Sequence, residues 1–383
     1  MNRVVAATVA AVALVITGCT STPASDTASD SASDGATGGP GGAAQENRAV
    51  VIVSGGGART PFTTPTEACS DAEGFLSAGN TATGLRDYLL AQGKQVYTAP
   101  TMEEFGPVVD PPADSYQPFQ DCPVTLPEAL TITSSGDIGW GGERLARFVQ
   151  YLHDEYGVTD VDFVGHSNGG LWSRAATWVM RNTDSPVTVR SITTLGTPHE
   201  GSVEGRFQAG ETTDAACMGD QFCLNFDDWW VDYADKGDKG INREDTTKYL
   251  DGPDGWNSSQ VGTLDGIPVT LLAGTMFDAE GGDPTLWPYD GVVSQYSAWA
   301  TGIADAVIPW RACWSGPLTH SIFLSDAYNV WAEKEAAPGP LTPEPPLGWQ
   351  TGITWNTDAL ARVNQAIDNA DTALTTPNRQ GCA

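Results

Sequence analysis

The chain has 383 residues and a formal net charge of −29, from 48 acidic side chains against 19 lysines and arginines. That imbalance excludes a basic nucleic-acid footprint, so no nucleic-acid partner is expected, and it describes a soluble, self-repelling surface suited to a monomer. Beyond the N-terminal segment, roughly 335 residues suit one large α/β domain with insertions, or at most two domains.

The chain opens on a targeting pattern. Arg3 supplies a positive start, and Val4 to Thr17 is an apolar run too short to span a bilayer comfortably. Small residues lead into Cys19, a pattern that resembles the bacterial lipobox, so residues 1–18 are expected to be a lipoprotein signal peptide and Cys19 a lipid anchor. Residues 19–47 are Ser, Thr, Ala, Gly and Asp-rich without a large apolar residue, and cannot bury enough surface to order themselves. They read as a flexible tether from a membrane to a domain over residues 48–383. The expected location is the outer face of the cell membrane, or the medium. Six of the seven cysteines then remain: Cys69, Cys122, Cys217, Cys223, Cys313 and Cys382. An even count in an exported chain points to disulfides. Local pairing favours Cys217–Cys223, and Cys69–Cys122 with Cys313–Cys382 follow by elimination. No Cys or His spacing suggests a metal, and no cofactor is expected.

From Arg48 strands alternate with helices. Ala49 to Val53 is a continuous apolar run, as in a parallel strand covered on both faces. It ends at Ser54-Gly55-Gly56-Gly57, where backbone N–H groups can face a ligand. Thr83 to Gln92 reads as a helix and Gln95 to Ala99 as a strand, whereas the proline-rich stretch Pro100 to Pro127 reads as irregular. Gly139 to Glu143 precedes an amphipathic helix carrying Leu145, Phe148, Val149, Leu152 and Tyr156 at helical spacing.

Val161 to Val164 is the next buried strand. Gly165-His166-Ser167-Asn168-Gly169 follows as a G-x-S-x-G turn, and Leu171 to Arg181 reads as a helix. A bare match is weak, since this glycine-rich composition alone yields about 0.3 chance matches in the chain. Strand before and helix after give it meaning: the turn is sharp, needs glycines where the two backbones meet, and lifts the Ser167 hydroxyl above a sheet. Val187 to Leu195 is another strand, ending in Gly196-Thr197-Pro198-His199-Glu200-Gly201.

Four histidines compete for the general base. His153 is expected on the exposed side of a helix, His166 with its ring turned away from the nucleophile, and His199 in a structural role. His320 alone follows the acid candidates in the order Ser…Asp…His. Those candidates are Asp278, Asp283 and Asp290, in the region after a strand over Val269 to Ala273.

The stretch Gly165 to Gly170 with Leu195 to Gly201 resembles the bacterial secreted lipases and esterases of the α/β-hydrolase superfamily. The likeness runs over roughly Val50 to His320. It implies a mostly parallel central sheet flanked by helices, with an inserted cap at about residues 201–265. It also selects the acid, because the family's acid sits in an Asp-Gly-[Val/Leu]-Val turn shortly before Ser-Ala, which Asp290-Gly291-Val292-Val293 and Ser297-Ala298 match. It places the oxyanion hole at the backbone of Asn168 and of Gly56, with Gly57 close by. Two departures stand out. Ser54 replaces the family's histidine before the glycine turn, and no acid follows His320 at the spacing of the lipase calcium site, so no calcium is expected.

The resemblance implies a carboxylic ester hydrolase working through Ser167, His320 and Asp290 on an ester or lipid substrate. An acyltransferase with the same triad, or a non-catalytic lipoprotein on this scaffold, is the alternative. The Asp227-Asp228-Trp229-Trp230 stretch of the cap offers aromatics either to an acyl chain or to the cap's own packing. A last helix is expected at about Thr357 to Leu374.

Overall fold

The computed structural model describes residues 47–70, 76–111, 118–225, 247–251, 254–334, 343–373 and 378–382. All fall in one compact unit, Ala43–Ala383. The expected signal peptide, Cys19, the tether and the Asp227 to Tyr233 stretch lie outside the described residues.

Among the described residues the core is a seven-stranded parallel sheet in the order β2-β1-β5-β6-β7-β8-β9. Its strands are β1 (Arg48–Val53), β2 (Val96–Thr98), β5 (Asp160–His166), β6 (Thr188–Leu195), β7 (Val269–Gly274), β8 (Trp310–Gly316) and β9 (Asn378–Gln380). A second, two-stranded sheet joins β3 (Thr101–Met102) to β4 (Ile132–Thr133). Strand residues point alternately to opposite faces, and the first strand shows why its apolar run is continuous. Ala49, Val51 and Val53 enter the core beneath α2 (Ile138–Tyr156) and α3 (Asn168–Asn182). Val50 and Ile52 enter the opposite core, with Leu85 and Leu89 of α1 (Gly79–Ala91) and with Val363 and Ile367 of the helix Thr357–Asn369.

The nucleophile strand runs on to both sides of the expected Val161–Val164. Asp162 is fully buried within it and yet satisfied, because Arg48 grips it through two hydrogen bonds of 2.6 and 2.9 Å and Ser191 Oγ donates to it. A buried carboxylate of this kind is tolerated only when paired.

The expectation that this helix starts only after Glu143 is corrected. α2 begins at Ile138, with Asp137 as N-cap accepting from Trp140 N, and its glycines lie inside the helix. The reason is contact: a Cβ on Gly141 would stand 2.3 Å from Trp172, and one on Gly142 2.4 Å from Ala175 Cβ, both on α3. Gly157 in the left-handed region closes α2. The last helix stops at Asn369, short of the expected Leu374.

Strand β8 and the helix Ile322–Lys334 were not marked by any pattern read above. Trp-Arg-Ala-Cys-Trp-Ser-Gly has no apolar run, as befits a strand with only the three-residue β9 beyond it. All three expected disulfides are present: Cys69–Cys122, Cys217–Cys223 and Cys313–Cys382. The last ties the chain end to β8. In the cap region the described residues form α4 (Val203–Gln208) and the short helices Thr247–Asp251 and Trp256–Ser259.

Candidate active site

Ser167 sits between β5 and α3 with φ 54 and ψ −133. A non-glycine residue at positive φ carries strain that the surroundings must hold in place. Here its N–H donates to Leu195 O and its carbonyl accepts from Thr197 Oγ1. The flanking glycines are a steric necessity: a Cβ on Gly169 would lie 2.1 Å from Val53 O, and one on Gly165 2.6 Å from Gly170 Cα. The elbow starts the helix directly, so α3 begins at Asn168 rather than Leu171.

The glycine turn after β1 faces this serine. A Cβ on Gly55 would stand 2.9 Å from Ser167 Oγ, and one on Gly56 3.2 Å from Asn168 Nδ2. Asn168 is the first residue of α3, where backbone N–H groups have no intrahelical acceptor. Gly56 thus adjoins the Asn168 side chain at the elbow. Ser54, which stands where the lipase family carries histidine, is buried and accepts a hydrogen bond from Thr60 Oγ1 at 2.7 Å, bracing the turn.

Asp290 and His320 are brought together. Asp290 is fully buried, and its Oδ2 lies 2.8 Å from His320 Nδ1. Its Oδ1 accepts from Val292 N and Val293 N, and its carbonyl accepts from His320 N. The carboxylate fixes the proton on His320 Nδ1, which leaves Nε2 as the acceptor. Gly196, at φ 55, runs beside this pair; a Cβ there would meet Asp290 Oδ2 at 2.7 Å and His320 Nδ1 at 3.0 Å. Because Ser167 N bonds the neighbouring Leu195, the serine and the Asp290–His320 pair stand on either side of the same β6 end. Asp278 and Asp283 are exposed and serve their own turns, accepting from Ala279 N and from Thr285 N. Neither reaches His320.

Two histidine expectations are corrected. His166 does not turn away: its Nε2 donates to His320 O at 2.7 Å and the two ring centroids lie 4.6 Å apart. Burial, reinforced by the neighbouring His320, holds its pKa down to about 3, so the ring is neutral. His153 is half-buried and bonded to Val158 O, just beyond the Gly157 C-cap of α2. His199 is structural, as expected. Arg174 can only donate, so His199 Nδ1 accepts from it and Nε2 donates to Thr194 Oγ1. Burial and the adjacent Arg174 keep His199 neutral.

Sequence reasoning did not foresee the polar network behind the elbow. Arg174 is fully buried, stacks over Trp256 at 4.6 Å and donates to Asn257 Oδ1. Asn257 in turn donates to His199 O and Asp251 Oδ1. These residues are 83 and 58 positions apart or meet only through folding, so no local spacing could have joined them.

Among the described residues, a seven-stranded parallel sheet with a strained serine elbow and a buried Asp–His pair at the strand ends has the architecture of the α/β-hydrolase fold. Residues 124–212, which span the elbow, match the model of a family described as "Putative serine esterase (DUF676)". A 61-residue stretch is 44% identical to a triacylglycerol lipase of Pseudarthrobacter phenanthrenivorans, covering 16% of this chain and 18% of that protein. A triacylglycerol lipase of Burkholderia plantarii is likewise 44% identical over 61 residues, 16% of each. The match thus spans less than a fifth of the length of these relatives. The mature Bacillus licheniformis lipase is a structural neighbour at 14% identity and TM-score 0.42, covering 76% of this chain and 91% of that one. In its elbow region the chain is similar to the serine-esterase family, and over a 61-residue stretch it is similar to bacterial triacylglycerol lipases.

Proposed function

We propose that the protein is a carboxylic ester hydrolase that works through a Ser167 acyl-enzyme. The observation that carries this reading is the 2.8 Å Asp290–His320 pair beside the strained Ser167 elbow. In the first step His320 Nε2 takes the hydroxyl proton as Ser167 Oγ attacks the ester carbonyl. Asp290 holds the tautomer and balances the imidazolium. The tetrahedral oxyanion accepts from the Asn168 and Gly56 N–H groups, each such donor being worth about 3–4 kcal/mol of barrier. His320 then gives its proton to the departing alcohol, and water repeats the sequence to release the acid. The 61-residue similarity to triacylglycerol lipases supports lipid esters as the substrate class. With Cys19 as lipid anchor, the domain would act on the outer face of the membrane.

The test is an ester chain-length series with wild type and Ser167→Ala. Turnover by the wild type that falls by about 10⁴-fold or more in the variant is expected. Equal turnover by both proteins, or none by the wild type at any chain length, defeats the reading.

A further inference from the structure

The residue after the nucleophile carries a polar side chain that the fold does not use. Asn168 is only 6% exposed, and its Oδ1 is buried without a hydrogen-bond partner. Among the described residues nothing accepts from its Nδ2 either. The hydroxyls around it are all engaged: Thr60 Oγ1 donates to Ser54, Ser134 Oγ to Ala58 O, Thr197 Oγ1 to Ser167 O and Ser173 Oγ to Gly169 O. A buried amide with no partner costs stability, and native folds rarely keep one without a reason.

Its position supplies the reason. Gly55 and Gly56 are consecutive in the turn after β1. A Cβ on Gly55 would stand 2.3 Å from Ser167 Cβ and 2.9 Å from its Oγ, and one on Gly56 would stand 3.2 Å from Asn168 Nδ2. The nucleophilic hydroxyl and the amide therefore lie against neighbouring glycines of one turn. Ser134 O is 3.7 Å from the same Gly56 position, yet it accepts no bond from the amide. Asn168 also opens the 15-residue α3, whose first N–H groups lack intrahelical acceptors and whose N-terminus favours negative charge. A spare donor beside the nucleophile at that helix end lacks only an anionic acceptor.

We infer that Asn168 is a catalytic residue through its side chain: Nδ2 donates to the oxyanion, in addition to the backbone donors. The inference rests on the ester-hydrolase reading of Ser167. As the bond from Ser167 Oγ to the carbonyl carbon forms, the C=O π pair moves onto the carbonyl oxygen and the hydroxyl proton passes to His320 Nε2. The amide hydrogens stay on Nδ2 throughout. When the carbonyl re-forms, the alcohol leaves with the His320 proton and the amide loses its acceptor. A donor satisfied only while charge sits on that oxygen acts on kcat rather than on substrate binding.

The test compares ethyl butyrate with its thionoester, in which sulfur replaces the carbonyl oxygen and accepts hydrogen bonds weakly. Asn168→Leu and Asn168→Asp should each lose about 10²–10³-fold in kcat on the oxygen ester, with KM within about threefold of wild type. The oxygen-to-sulfur ratio of kcat should fall by about tenfold or more in both. The aspartate charge opposes oxygen and sulfur anions alike, so this ratio isolates the hydrogen bond. Leucine approximates the shape of asparagine without its polar atoms, so the melting temperature of Asn168→Leu should equal or exceed that of wild type. Asn168→Asp decides the matter if the leucine variant does not fold. A kcat within twofold of wild type in a folded variant, or a loss that leaves the oxygen-to-sulfur ratio unchanged, overturns the assignment and leaves the ester-hydrolase reading standing. Failure of the folded wild type to cleave ethyl butyrate overturns both.

Discussion

Gly196→Ala is the sharpest structural probe of the Asp290–His320 pair, because it adds one methyl group and removes nothing. The methyl would point at Asp290 Oδ2 from 2.7 Å and at His320 Nδ1 from 3.0 Å. Ordinary van der Waals contact begins near 3.4 Å, so the carboxylate must retreat by about 0.7 Å. The carboxylate is poorly placed to retreat, since Val292 N and Val293 N hold its other oxygen. Misplacing reacting groups by 1 Å costs about 10²-fold, so a loss of roughly tenfold to hundredfold in kcat is expected, with KM little changed. Stability should fall as well. A side chain at φ 55 costs about 1–2 kcal/mol and overpacking a further 1–3 kcal/mol, giving about 2–5 kcal/mol in all. Steady-state kinetics on a p-nitrophenyl ester and urea unfolding measure the two effects. Activity within about twofold of wild type, in a protein of unchanged stability, would refute the placement of the pair against the β6 end.

Other variants probe other links. Asp290→Asn should lower kcat by about 10⁴-fold while the fold persists, whereas Asp278→Asn should leave it unaltered; equal losses would unseat Asp290 as the acid. Burial holds the Glu200 carboxyl up at about 8 against an ordinary 4.5, so the folded chain keeps a proton that the unfolded chain has lost. Stability should therefore decline as pH rises from the ordinary glutamate value towards 8, by up to about 1.4 kcal/mol per pH unit, and level off above that. Glu200→Gln should flatten that decline in denaturant titrations across the range, and an identical slope in wild type and variant would count against the buried carboxyl. Replacing Cys313 and Cys382 together by serine opens a loop of 69 residues, at a cost of about 4 kcal/mol. A melting temperature equal to that of wild type would show that the bond constrains little.

The parts of this site legible in the sequence are those whose physics is local. An apolar strand, a glycine-flanked serine and a helix announce the elbow because each glycine answers a backbone contact a few residues away. The disulfide pairs followed from spacing, since Cys217 and Cys223 leave few alternatives for the other four cysteines. Asp290 was legible only through its turn motif; charge alone could not separate it from Asp278 and Asp283. The structure separates them by burial, which no single position reveals. The glycines of α2 were misread because a helix interior tolerates them only for a partner, and that partner, Trp172 with Ala175, lies some thirty residues on. The Arg174–His199–Asn257 network was invisible for the same reason. Its members are ordinary residues in sequence and become informative only when folding removes them from water.

The corrected position of His166 changes the account of how His320 works. His320 is held at three points: its Nδ1 by Asp290 Oδ2, its N–H by Asp290 O, and its carbonyl by His166 Nε2. The first two bonds come from one residue, so a shift of the Asp290 turn would carry the base with it. The third comes from the strand that leads into Ser167, and so references His320 to the elbow. His166 can play this part only while neutral. A cation 4.6 Å from the His320 ring would oppose positive charge on that ring, and burial, with His320 alongside, lowers the His166 pKa to about 3. The residue before the serine thus acts as a spacer without charge, which fixes the distance between the base and the elbow.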